Sequence, residues 1–546
     1  MYNDCYKEES NGKNCENIQN KVIYRKYVYL RKILIMKKIG KMVFSRLFVM
    51  GLAIVVQFLW LLNLMYRFSI QFTYVNFALN VLAVIITLVI VSRWLNPSYK
   101  LAWTFIIMLF PVLGLLIYFV FGRSELTKHK REKLNRVHEE ITPFLTANPA
   151  YEEELRGLDQ EVANQSSYLS NWAQFPVYKN TETEYYQCGE EMFPKMLEAM
   201  RQAEHYIFME YFILEHGNMF DKVIEVLQEK TEQGVEVRLI YDDVGCVTTL
   251  PAHFYRALQK LGIKCAAFNP FRPMMSIVMN NRDHRKILVV DGLIAFTGGI
   301  NIADEYINEK QRFGYWKDTG IRLKGEGVWS FTCMFLEMWN YIVGSTEDYQ
   351  KYMPQVHQKE PFVSDGFVQP YGDTPLDKEN TSENVYMNII SKARKYVYIF
   401  TPYLIVDQEM LITICNAAKC GVDVRIMTPG IPDKKSIYLL TQADYRRLIE
   451  NGVKIYQYTP GFLHAKCFVS DDTIATVGSI NLDYRSLYLH FECGVFLYQS
   501  SAVQAVKEDM IQTMEQSEEI TLEFCKNRSI FVRLAQSILR LLAPLL

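Results

Sequence analysis

The chain has 546 residues, room for several domains, and half of them are hydrophobic. Its 59 basic and 60 acidic residues nearly cancel, so no global basic field marks a nucleic-acid binder. Eleven cysteines, an odd count with no Cys-x-x-Cys pair, exclude a disulfide framework and a structural zinc site, and read as buried, reduced thiols.

Residues 1–42 form a basic tail whose first twenty residues are polar and carry no packing signal. Three charge-free apolar runs follow, at 47–65, 74–91 and 101–121, each near the ~20 residues that a membrane helix needs. The first lies too far from the start, and is followed by too many more, to be a cleavable signal. The expectation is a multi-pass membrane region over 43–123. Its orientation carries a conflict. Lys37, Lys38, Lys41 and Arg46 crowd one flank, and Arg123, Lys128, Lys130, Arg131 and Lys133 the other. The positive-inside rule wants both flanks inside, yet three spans put them on opposite sides.

Residues 124–165 are charged and helix-prone, a connector leading off the membrane. A duplicated strand–helix–strand unit follows. Its first copy has a strand at 206–213, a helix over 219–232 and a strand over 234–240. Its second has a strand at 396–400, a helix over 408–419 and a strand over 421–427. Blocks of this size imply layered α/β domains. The expected boundaries are 166–354 for the first domain, 355–380 for a polar linker and 381–546 for the second domain. The last stretch, Ile530 to Leu542, spaces its apolar residues on one helical face with Arg533 and Arg540 off it. A helix lying on a membrane and a helix packing on the domain both fit that pattern.

Each copy contains one further pattern. In the first, His284-x-Lys286 is followed by Asp291, Gly298-Gly299 and Asn301; in the second, His464-x-Lys466 by Asp471, Gly478-Ser479 and Asn481. Asp291-Gly292 closes a β-branched run, a hairpin signal, with the returning strand over 293–297. Period-2 alternation puts each His and its Lys on one strand face. One such histidine would be ordinary; two with identical internal spacing are a site built from both halves. Past each motif comes an acid-x-Gly-aliphatic echo, Asp318-Thr-Gly-Ile and Glu492-Cys-Gly-Val. A reacting imidazole needs a carboxylate to fix its tautomer, and Asp318 and Glu492 are expected to supply it ahead of Asp291 and Asp471.

These motifs resemble the two-motif HKD phospholipase D superfamily. The third apolar run carries Asn96-Pro97-Ser98, Leu101-Ala102-Trp103, Pro111-Val112-Leu113-Gly114 and Tyr118-x-x-Phe121-Gly122-Arg123. It is similar to the membrane segment of bacterial cardiolipin synthases. The resemblance implies two α/β sandwich domains about a pseudo-twofold axis, with both motifs meeting between them. It implies a catalytic set of His284, Lys286, Asp291, His464, Lys466 and Asp471. It further implies phosphatidyl transfer between two phosphatidylglycerol molecules in the membrane, giving cardiolipin and glycerol through a phosphohistidine on His284, with His464 as acid and base. Lys286, Lys466, Asn301, Asn481 and Ser479 would hold the phosphoryl oxygens, with no metal or cofactor and no nucleic acid. The catalytic domains would face the cytoplasm. Water as acceptor would turn the same motifs into a phospholipase D, and loss of chemistry into a membrane adaptor; the intact motifs weigh against the second.

Overall fold

The computed structural model describes residues 73–93, 96–122, 128–270, 281–358, 361–377 and 379–545, with five scattered positions between 56 and 63. The first expected membrane run and the basic tail lie outside the described residues, those few positions aside. The middle run forms helix α1 (Thr73–Ser92), of which Tyr74–Ser92 is long and apolar enough to cross a membrane by length and composition.

The third run is not one span. It breaks into α2 (Pro97–Leu109) and α3 (Pro111–Phe121). Pro111 has no N–H to continue α2, and its ring clashes with the preceding turn, so the helix stops and the chain doubles back. Tyr99 Oη donates to Gly122 O at 2.7 Å, and the Trp103 and Tyr118 rings meet edge-on at 5.2 Å. A Cβ on Gly114 would lie 2.6 Å from Ile106 O and from Ile107 Cα, so only glycine lets the two helices approach so closely. These pairs define an antiparallel hairpin. Its arms, ~20 and ~16 Å long, fall short of the ~30 Å hydrocarbon core. Pro97 sits in the first turn and Asn96 caps it, its Oδ1 accepting from Ser98 N at 2.9 Å.

The first soluble half contributes β1 (Thr181–Tyr186), β2 (Tyr206–Tyr211), β3 (Glu236–Asp242), β4 (Lys264–Phe268), β5 (Arg282–Asp283), β6 (Lys286–Val290), β7 (Ile294–Gly298), β8 (Tyr315–Lys317) and β9 (Gly320–Gly325). Seven of them make a sheet in the order β1-β9-β7-β6-β2-β3-β4. The second half contributes β10 (Phe367–Asp373), β11 (Tyr396–Phe400), β12 (Leu404–Ile405), β13 (Asp423–Pro429), β14 (Lys454–Tyr458), β15 (Gly461–Leu463), β16 (Cys467–Ser470), β17 (Ile474–Gly478), β18 (Leu482–Asp483), β19 (His490–Tyr498) and β20 (Ser517–Glu519). Its main sheet runs β10-β19-β17-β16-β11-β13-β14-β20, the same order with one strand added. In each sheet three strands are parallel, joined through helices, and a hairpin lies antiparallel to them. This is the duplication that the internal echoes imply.

Two expected boundaries differ from the structure. The linker expected over 355–380 contains β10, which pairs along its whole length with β19 and so belongs to the second sheet. The connector does not end at 165. Helix Gln160–Asn171 runs through that point and buries Val162, Ala163 and Leu169 in the second half's core. Between the sheets, helix α4 (Val328–Val343) is apolar on nearly every side and is buried on nearly every side, as that composition requires. It packs under the first sheet and joins a core cluster that includes residues of both sheets. The short helix α5 (Tyr484–Tyr488), then α6 (Ser501–Glu515) and α7 (Ile530–Leu542), complete the second half.

Candidate active site

Both motif histidines sit just before the hairpin strands β6 and β16, at the end where each half reaches into the other. β5 pairs in parallel with β19, Arg282 opposite His490 and Asp283 opposite Phe491. β15 pairs in parallel with β8, Leu463 opposite Lys317. The ladders end on the motifs: His284 N donates to Phe491 O at 2.9 Å and His464 N to Lys317 O at 2.7 Å. Each histidine is therefore seated on the strand that carries the other half's acid.

The pairs are crossed. His284 Nδ1 lies 2.9 and 3.0 Å from the two carboxylate oxygens of Glu492, and His464 Nδ1 lies 2.6 Å from Asp318 Oδ2. Each imidazole thus presents Nε2 as its free nitrogen. Both acids are fully buried. Lys286 and Lys466, buried beside their histidines, each donate Nζ to the carbonyl of their own motif histidine.

Burial and the two lysines set the protonation states. Desolvation, then Lys286 and Lys466, push His284 well below the ordinary imidazole value. Desolvation and Lys466 bring His464 down to about 4, although Asp318 opposes them. Desolvation lowers Lys286 to about 8 and Lys466 to about 7. Burial raises Asp318, but His464 and Lys466 outweigh it and hold the carboxyl below its usual range. Near neutral pH both imidazoles are neutral and the lysines titrate close to the working range.

The remaining expected site residues divide. Asp291 and Asp471 are not brought to the imidazoles. They occupy the far ends of β6 and β16, in turns with φ of 52° at each. Asp291 accepts from Glu204 N, His205 N and Tyr206 N at 2.7–2.8 Å. Asp471 accepts from Arg394 N, Lys395 N and Tyr396 N at 2.7–3.0 Å. Each carboxylate ties its hairpin turn to the start of the neighbouring strand, a structural anchor where a catalytic role was expected. Ser479, expected to hold phosphoryl oxygens, turns its hydroxyl to an orienting acid: its Oγ donates to Glu492 Oε2 at 2.5 Å and accepts from Cys493 N. At the equivalent point of the other half, a Cβ on Gly299 would lie 2.0 Å from Asp318 Oδ1. Asn301 holds Ile213 N and Tyr306 Oη, bracing the loop beside the site. Asn481 donates to Ser486 Oγ at 3.0 Å, and its buried Oδ1 has no hydrogen-bond partner among the described residues.

The halves match in geometry but not in chemistry. Before His284 the strand reads Arg282-Asp283, and Arg285 follows it. Arg285 pairs with Glu210 at 2.6 Å and Arg282 with Asp242 at 3.3 Å, all of them buried. The second motif has Phe462, Leu463 and Ala465 there, and His464 lies among the rings of Phe462, Trp316 and Tyr306. A third imidazole stands on the first side: His490, 5.6 Å from His284 between ring centroids, its Nδ1 3.8 Å from Glu492 Oε1 and neither ring nitrogen hydrogen-bonded among the described residues. It occupies the position two before the acid, as Trp316 does on the other side. That echo was open to sequence reading and was missed. His284, His490 and Glu492 bring ligand atoms within 4.8 Å of one another, a spacing that suits a metal ion. Lys286 and Lys466, close enough to depress His284, would oppose a cation there.

Comparison with known proteins places these features in context. The family described as cardiolipin synthase, PLD-like domain, matches residues 196–312 and 386–514, one stretch for each motif. A second family, described as phospholipase D-nuclease N-terminal, matches residues 78–123, which cover most of α1 and the hairpin. A cardiolipin synthase of Alkalihalophilus pseudofirmus is 33% identical over 86% of this chain and 93% of its own length. An uncharacterised protein of Streptococcus mutans is 42% identical over 84% of this chain and 99% of its own. Among solved structures, the phosphatidylserine synthase of Haemophilus influenzae shares the fold, with a TM-score of 0.52 at 15% identity over 70% of this chain and 97% of its own.

Proposed function

The chain belongs to the cardiolipin synthase family of phospholipase D-like proteins, and from that premise we propose how its paired site moves a phosphatidyl group. The enzyme is a phosphatidyltransferase. In the first step His284 Nε2 attacks the phosphorus of one phosphatidylglycerol. The P–O bond to the head-group glycerol breaks, and His464 gives its Nε2 proton to the leaving oxygen. In the second step a hydroxyl of another phosphatidylglycerol gives its proton back to His464 and attacks the phosphohistidine. The P–N bond breaks, releasing cardiolipin and restoring His284.

The observation that carries this reading is the crossed pairing, His284 with Glu492 and His464 with Asp318. Neither half has a complete site, and together they offer two free imidazole nitrogens beside two buried ammonium groups. A neutral His284 is the nucleophilic form. His464 must be protonated to act as acid, and an anionic phosphodiester offsets the lysine field that depresses it. Lys286 and Lys466 then stabilise the charge that spreads over the phosphoryl oxygens.

Membrane attachment belongs to the same proposal. α1 crosses the bilayer and the α2–α3 hairpin enters it. Asn96, at the hairpin's foot, donates to Asp407 Oδ2 at 2.9 Å and to Tyr488 Oη at 3.1 Å. Tyr488 closes α5, whose Ser486 receives the hydrogen bond of Asn481. One short helix thus joins the hairpin to the rim of the site. That link favours a lipid hydroxyl over water as acceptor, because the second phosphatidylglycerol is concentrated where the site opens.

The test is the product. Purified chain in phosphatidylglycerol vesicles is expected to yield cardiolipin and free glycerol in equal amounts, measured by lipid mass spectrometry and a glycerol assay. Phosphatidic acid as the main product would make water the acceptor and overturn the transfer reading.

A further inference from the structure

Helix α7 is half a packing element. Leu539 reaches a small cluster with Ile405, Leu440, Tyr484 and Ala543, and Gln536 donates to Leu439 O. Its opposite face is bare: Ile530, Phe531, Leu534 and Ile538 are 75%, 80%, 59% and 53% exposed. At 100° per residue these four fall within one quarter to one third of the helix circumference. A soluble surface seldom leaves such a ridge uncovered. Beside the ridge runs a cationic edge. Arg446, Arg528, Arg533 and Arg540 line a cleft of about 180 Å³ together with Phe524; no carboxylate is among its lining residues, and Arg446 pairs with Glu450 beside it at 2.9 Å. Arg528 stacks over the Phe524 ring at 4.3 Å, Arg540 pairs with Asp444 at 2.5 Å, and Arg533 donates to Lys526 O.

What covers the ridge follows from its neighbours. α7 runs into a short turn, Ala543–Leu545, and Leu545 packs against the cluster that includes Ala83, Ile90, Trp103 and Ile107, the core where α1 meets the hairpin. Those helices expose Phe77, Leu88, Leu101 and Phe105 outward, side chains that require hydrocarbon around them. The ridge on α7 is therefore continuous with the lipid-facing part of this chain.

We propose that α7 lies in the interface of an anionic bilayer, its four apolar side chains below the head groups and its arginine cleft holding the phosphate of a net-anionic lipid, one with no head-group ammonium to offset it. The inference rests on the membrane reading above and not on which acceptor the enzyme uses. An interfacial helix of this kind takes hydrocarbon from one face and anionic head groups from the other. Guanidinium groups suit a phosphate because their paired N–H donors match its oxygens. The contact fixes the second half against the surface at a second point besides the hairpin, and so sets the height of the site above the lipid.

The test reads position rather than activity, so it stands whether the second step takes a lipid or water. Full-length Phe531→Trp, in nanodiscs of phosphatidylcholine with phosphatidylglycerol, is compared with the unmodified chain to isolate the added emission. That emission should be blue-shifted and fall at least about two-fold when brominated acyl chains replace ordinary ones, as for a ring seated ~5–10 Å into the interface. Adding Arg528→Gln and Arg533→Gln should weaken the quenching in these discs and leave it unchanged in discs of phosphatidylcholine alone. Quenching by aqueous iodide in place of bromine would overturn the proposal. So would emission shielded from both, which marks a protein partner or second copy on the ridge. Bromine quenching indifferent to the arginines and to phosphatidylglycerol would overturn the phosphate-binding part.

Discussion

At the residue scale, the two carboxylates that matter are the ones each half lends to the other. Removing either histidine should abolish transfer, since members of one catalytic unit do not act alone. Glu492→Gln and Asp318→Asn keep shape but lose the charge that orients Nδ1, and turnover should drop ~10²-fold or more with lipid affinity little changed. Steady-state kinetics in mixed micelles checks both. A Glu492→Gln enzyme near full turnover would break the crossed-pair account. The lysines add a pH signature. Their lowered values mean that Lys466 and then Lys286 lose their charge as pH rises through about 7 and 8, while the imidazoles gain charge only in acid, about pH 4 for His464. Because His464 must enter the reaction protonated, kcat/KM, which reports the free enzyme, should decline above about pH 4 and steepen through 7–8 as the coupled lysines discharge. Bound phosphodiester favours the charged lysines, so the alkaline limb of kcat should lie at higher pH. A kcat/KM profile flat to pH 9 would contradict it. The imidazoles, lysines and orienting acids were legible, because duplication repeated both the motif and the acid-x-Gly echo. The crossing was not, since it depends on two short parallel pairings between halves that no local pattern encodes. Nor was it legible that the Ser479 hydroxyl turns toward Glu492, because a position on the chain does not set where a hydroxyl points.

At the element scale, the hairpins explain why an aspartate ends each motif. β6 and β16 must deliver a histidine at one end, and the other end must be held in register. Three backbone N–H donors on one carboxylate achieve that, in a turn whose positive φ aspartate tolerates. Asp291→Asn should cost roughly 2–3 kcal/mol, as charge-assisted bonds are replaced by weaker ones. The folded fraction should keep most of its turnover. Thermal unfolding followed with the kinetics separates the two effects; a fully folded Asp291→Asn protein that had lost turnover would return this residue to the chemistry. Strand and helix positions were read to within one or two residues because the apolar period is strong there. β10 was missed because Tyr371, Gly372 and Asp373 sit in a stretch that composition marks as linker, and only pairing with β19 makes it a strand.

At the scale of the whole molecule, the broken third run opens a way out of the conflict between charge and topology. Three spans put the lysine-rich flank at 37–46 and the basic flank at 123–133 on opposite faces, against the positive-inside rule. A hairpin returns to the face it enters from, so the run at 101–121 changes no side. Under the membrane reading proposed above, α1 together with the apolar run at 47–65 would then leave both basic flanks, and the catalytic halves with them, on one face, which the charge rule makes the cytoplasmic one. The break was visible in the sequence as Pro111 and Gly114. An uninterrupted apolar run nonetheless outweighs one proline when length alone is weighed, and proline is tolerated in membrane helices when neighbours satisfy the freed groups. What settles the fold is the pair of close contacts, Tyr99 with Gly122 and Gly114 with Ile106, which need both arms side by side. An epitope inserted after Lys41 and another after Ser124, each in the full-length chain, should both be cut by protease in inverted vesicles and both be protected in intact spheroplasts. Cleavage of the two from opposite faces would restore three spans and leave one flank violating the charge rule.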